Sequence, residues 1–81
     1  MTVNDLAKEL RKMYENALKG EKATMIHLFG IRYSKYIREN NITPSEIIRN
    51  ANLNNKKEIS PEYSVEINKG INLAKYVKEK N

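Results

Sequence analysis

Eighty-one residues and 9.4 kDa allow one small domain, and 40% hydrophobic with 31% charged residues excludes compositional disorder. The absence of cysteine and a single histidine, His27, exclude disulfide frameworks, thiolate or multi-His metal sites and a Cys nucleophile. The formal charge of +5 is a weak argument for a polyanionic partner: eleven of the fifteen basic residues are Lys, alongside eleven Asn and nine Ile, the bias of an AT-rich coding sequence.

The first predicted helix carries Val3, Leu6, Ala7, Leu10, Met13, Tyr14, Ala17 and Leu18 at the spacing of one amphipathic stripe. Thr2 with Asp5 offers its N-cap and Gly20 its stop. A second helix begins near Glu21. Its first part, through Ala23, Met25, Ile26, Leu28, Phe29 and Ile31, is apolar nearly all round and belongs at the centre of the core. Its later part interleaves Arg32, Lys35 and Arg38 with Tyr33, Tyr36 and Ile37, and Asn40-Asn41 ends it. Gly30, in the middle, is either a break or a close-packing point. Thr43-Pro44-Ser45-Glu46 is a capping box with proline at the first helical position, opening a short third helix with Ile47, Ile48 and Ala51 inward. Asn52 to Ile59 is polar, carries Lys56-Lys57 and reads as a loop. Ser60-Pro61 starts a last helix with a stripe of Tyr63, Ile67, Ile71, Ala74 and Val77. No segment holds a strand period, so the expected class is all-α: a four- to five-helix domain over 1–81.

The chain is also self-similar at a shift of forty residues. Gly30 to Asn41 and Gly70 to Asn81 share six of twelve positions, among them Gly30/Gly70, Lys35/Lys75 and Tyr36/Tyr76. Thr2 to Lys8 and Thr43 to Arg49 share a pattern of cap, acid, aliphatic and base at a shift of forty-one. These matches predict two pseudo-symmetric helix–loop–helix halves, 2–41 and 43–81, with the equivalent glycines letting their second helices cross closely.

Catalysis finds no support. Most carboxylates have a Lys or Arg three or four positions away, the pattern of surface helix pairs. His27 aligns with Ile67 in the repeat and reads as a core or boundary residue. The three glycines are isolated at 20, 30 and 70, so no phosphate-binding loop exists. The expectation is a non-enzyme without cofactor or metal. No apolar run approaches the ~20 residues of a membrane span and the N-terminus lacks a signal-peptide core, so a soluble cytoplasmic location is expected.

Two stretches read as helix-turn-helix. Ala23 to Ile37 places Phe29-Gly30-Ile31 at a turn before Arg32, Tyr33, Ser34, Lys35 and Arg38. Ser45 through Asn52-Leu53 and across Pro61 makes a second, with an enlarged turn carrying Lys56-Lys57. Taken whole, with Met25 to Ile31 ahead of Glu66-Ile67-Asn68-Lys69-Gly70 and Leu73 to Val77, the chain resembles the small bacterial helix-turn-helix-like proteins. The resemblance implies their fold and suggests double-stranded DNA as partner. Candidate phosphate contacts are Arg32, Lys35, Arg38, Lys56, Lys57, Lys69 and Lys75, which position without specifying. Against DNA stand the acidic start of the last helix, Glu62, Ser64 and Glu66, and the scarcity of Arg. The competing reading is a protein–protein module, a small inhibitor or accessory factor from a bacterium or mobile element with no DNA binding. Either role admits a homodimer.

Overall fold

A computed structural model describes residues 1–77. Four helices follow one another: α1 Val3–Asn16, α2 Lys22–Glu39, α3 Pro44–Asn52 and α4 Tyr63–Leu73. Their Cα radius of gyration, 11.6 Å, equals what a well-packed chain of this length has, about 12 Å. The architecture is all-helical, with no strand among the described residues.

Local sequence starts two helices in the same way. The Thr2 hydroxyl accepts from the Asp5 amide at 3.2 Å, and Asp5 Oδ2 accepts from the Thr2 amide at 2.8 Å. Thr43 and Glu46 repeat both bonds at 3.2 and 3.1 Å. Each box satisfies two backbone donors left over at a helix start. The hydrogen bonds from the Thr2 amide and hydroxyl hold the Asp5 carboxyl below its ordinary pKa.

The helices pack as two main pairs, α1 against α3 and α2 against α4. Between them lie Leu6, Leu10 and Met13 of α1, Ile26, Phe29 and Ile37 of α2, Ile47 and Ile48 of α3, and Ile67 and Ile71 of α4. Tyr14 meets Tyr63 edge to face at 5.8 Å, tying the end of α1 to the start of α4. Lys22 caps that contact, its ammonium 4.1 Å from the Tyr14 ring centre.

Gly30 does not break its helix. α2 runs unbroken from Lys22 to Glu39, so the helix-turn-helix expected over Ala23 to Ile37 does not exist. The physical reason lies in α4. A Cβ on Gly30 would overlap the Ile67 carbonyl oxygen and lie 3.1 Å from Gly70 Cα; one on Gly70 would overlap the His27 carbonyl and lie 3.0 Å from Gly30 Cα. The two glycines face each other at the crossing, the close approach that their matched positions predict.

Three helix ends differ from the sequence expectation. Ser60-Pro61 forms a turn, the Tyr63 amide donating to the Ser60 carbonyl at 3.0 Å, and α4 begins only at Tyr63 with no side-chain cap. α1 stops at Asn16, with Ala17 extended, so Leu18 leaves the stripe and is 69% exposed. α4 stops at Leu73, and the chain tightens into a turn through Tyr76, whose amide donates to the Leu73 carbonyl at 2.8 Å. Val77 is therefore not part of a buried helical stripe. The repeat's closing positions, Lys78 to Asn81, lie outside the described residues.

Candidate nucleic-acid interface

The helix–loop–helix unit that the structure does contain is α3, the connection 53–62 and α4. The connection is longer than the three- or four-residue turn of the common motif, yet it is anchored at both levels. Ile59, in the middle of a polar segment, is fully buried. The Asn52 carboxamide pins it, accepting from the Ile59 amide at 2.8 Å and donating to the Ile59 carbonyl at 2.9 Å. Arg11 of α1 then clamps the unit from below. Its guanidinium donates to the Ala51 carbonyl at 2.7 Å, to Asn52 Oδ1 at 3.1 Å and to the Lys57 carbonyl at 2.7 Å. Asn54 takes a positive φ of 59°, which asparagine tolerates, to turn the chain beyond α3.

These anchors are what position Lys56 and Lys57. Both side chains are exposed, while the backbone of Lys57 is held by Arg11. Between α3 and the connection, an open groove of about 460 Å³ is lined by Ile48, Arg49, Leu53, Glu58 and Pro61 among others.

The buried side of α4 is Ile67, Gly70 and Ile71. Its opposite side therefore presents Val65, Asn68, Lys69 and Asn72, all exposed. The acidic start weighed against DNA is only partly at the surface. Glu66 turns towards α2, with Oε1 3.1 Å from His27 Nε2 and Oε2 3.4 Å from Lys69 Nζ. His27 Nε2 is buried and makes no hydrogen bond among the described residues. His27 is thus a boundary residue at the α2–α4 seam. Glu62 remains exposed, and Ser64 is half-buried.

The seven basic candidates fall into different roles. Lys56, Lys57 and Lys69 belong to the α3–α4 unit, and Lys75 lies exposed in the turn after it. Lys35 is exposed on α2. Arg38 spends one donor on the protein, bonding the Ile71 carbonyl at 2.9 Å where α4 runs out of intrahelical partners. Arg32 reaches across to α1, with Nη1 3.8 Å from Met13 Sδ. The roles of Arg11, Asn52 and Ile59 are not visible in the sequence: Arg11 acts on carbonyls forty or more positions away, and the one signal for the Asn52–Ile59 pair is an aliphatic Ile near the end of the polar run 52–60. Of the tyrosines, Tyr33, Tyr36 and Tyr63 pack against the core and Tyr76 is 84% exposed.

No group of three or more His, Cys, Asp and Glu suited to a metal ion occurs among the described residues, and no described helix is long and apolar enough to cross a membrane. The fold and this unit define a small helix-turn-helix-like protein. The family model described as HTH-like domain matches residues 2–80, so the chain belongs to that family. Compared with curated proteins and with solved structures, it matches none significantly.

Proposed function

We propose that the protein is a small DNA-binding regulator that holds double-stranded DNA through phosphate contacts from the α3–connection–α4 unit. The observation that carries this reading is the pairing of a fixed, lysine-bearing connection with an outward α4 face from which the Glu66 carboxylate has been withdrawn. Membership of an HTH-like family supports it. Lys56, Lys57, Lys69 and Lys75 supply the principal phosphate contacts, with Lys35 at the flank. Arg32 and Arg38 contribute charge while their guanidinium groups also serve α1 and α4. The role is non-enzymatic, and the expected setting is the bacterial cytoplasm. A single domain built as a repeat of 2–41 and 43–81 is part of the same reading. The reciprocal approach of Gly30 and Gly70 and the twin capping boxes favour it.

Four phosphate contacts make affinity fall with salt at a logarithmic slope of about −3.6, or about 150-fold between 50 and 200 mM. Fluorescence anisotropy with a labelled duplex at several salt concentrations reads that slope. Absence of binding at micromolar protein and 50 mM salt would reject the function.

One observation favours the second reading, a protein–protein module. Leu73, Tyr76 and Val77 are exposed together at the end of α4. That reading predicts a specific protein partner whose capture is indifferent to nuclease, in a chain that shows no affinity for duplex DNA.

A further inference from the structure

The outward face of α4 carries a chemistry that phosphate binding leaves unused. Asn68 and Asn72 stand one helical turn apart, both exposed, and their carboxamides make no hydrogen bond among the described residues. Val65, 54% exposed, continues the same face towards the helix start, and Lys69 lies beside them. Val65 to Asn72 rises about 10 Å along the helix, the length of about three base-pair steps at 3.4 Å.

Those side chains match one kind of base pair. A carboxamide meets the N6 donor and N7 acceptor of adenine together, and an aliphatic side chain packs on the thymine methyl. Guanine is read by arginine or lysine; α4 contains no arginine, and its one lysine, Lys69, lies 3.4 Å from the Glu66 carboxylate. Charge allows the approach. Glu66 is turned to His27 and Lys69, leaving Glu62 as the exposed carboxylate of this helix, at its very start. The lysines of the connection and of the turn after α4, all exposed, precede and follow the helix in the chain.

We propose that α4 is the base-reading helix and that Asn68 and Asn72, with Val65 beside them, select adenine–thymine pairs in the major groove. This rests on the DNA-binding reading and names the sequence class that it would recognise. Asn68 and Asn72 are specificity residues; the lysines supply affinity irrespective of sequence.

The test uses the full chain. Duplexes selected by the protein from a randomised pool should be enriched in two or three consecutive A·T pairs. Asn68→Ala and Asn72→Ala should each weaken binding to the selected duplex about tenfold, and change binding to an unselected duplex less than twofold. Replacing a contacted adenine by 7-deazaadenine removes N7. It should cost the natural protein about as much as one Asn substitution, and cost the matching variant nothing further. Circular dichroism should show both variants folded, since neither side chain is packed. DNA binding with no base preference, or with the preference intact in both variants, would overturn this inference and leave the proposed function standing. No DNA binding at low salt would overturn both.

Discussion

At the residue scale the molecule turns on Gly30 and Gly70. Alanine is favoured over glycine in a helix by about 1 kcal/mol, so Gly30→Ala on an isolated α2 would be stabilising. In the protein the new methyl meets the Ile67 carbonyl and the Gly70 Cα, which are backbone and cannot rotate away. Overpacking of this kind costs about 1–3 kcal/mol in cores with side chains that can adjust, and a backbone obstacle belongs at the upper end. The expected net loss for Gly30→Ala is about 2 kcal/mol, a fall in Tm of about 10 °C for a domain this size. Gly70→Ala should cost a similar amount. The double variant should lose less than the sum, because the first methyl already separates the helices. Thermal unfolding followed by circular dichroism reads all three, and a stabilised Gly30→Ala would refute the crossing. The ambiguity of Gly30 in the sequence has a physical root. A turn and a close approach both favour glycine, and only the partner helix distinguishes them.

At the element scale the same distinction between local and distant causes recurs. The capping boxes at Thr2 and Thr43 are complete within four residues, so each was legible and each formed. The stripe of α1 was legible through Tyr14 for the same reason. The order of the 53–62 connection was not, because Arg11 acts on it from about forty residues away. The direction of Glu66 was equally hidden: its spacing to Lys69 is visible, but its turn towards His27 depends on how α2 and α4 cross. Arg11 is only 12% exposed at its side chain, and it donates to the Ala51 and Lys57 carbonyls across the chain. Hydrogen bonds from a charged group contribute about 1.5–3 kcal/mol, so Arg11→Ala should cost about 2 kcal/mol in urea unfolding. The loss should concentrate in the connection. Hydrogen exchange at the Ile59 amide, held by Asn52 Oδ1, should accelerate more than exchange in α2. Arg11→Lys should recover only part, since one ammonium lacks the planar fork that spans Ala51 and Lys57. If Arg11→Ala leaves both the urea midpoint and Ile59 protection unchanged, the clamp is not what orders the loop. Because Lys56 and Lys57 ride on that loop, the same variant links the fold to the proposed phosphate contacts.

At the scale of the whole molecule, the packing pairs run across the proposed repeat rather than within it. α1 rests on α3 and α2 on α4, so the largest apolar surfaces of one half are covered by the other. Residues 1–42 alone would expose Leu6, Leu10, Ile26 and Phe29, each fully buried in the intact chain. Residues 43–81 alone would keep a nine-residue α3 and an eleven-residue α4, both shorter than a helix that stands unaided in water. As separate peptides, then, each half should show weak helicity and no cooperative melting. Mixed in equal amounts, they should recover helicity and a sigmoidal transition. The midpoint of that transition should rise with concentration, because association carries an entropic cost that the covalent link at 42–43 removes. Gly30→Ala in the first peptide should weaken recovery, since the crossing with Gly70 is then made between chains. Far-UV circular dichroism of the peptides and their mixture reads each of these outcomes. A first half that melts cooperatively by itself, at a midpoint independent of concentration, would show that its core closes without the second. The interlocked halves would then be two abutting units, and Gly30 and Gly70 an incidental contact between them.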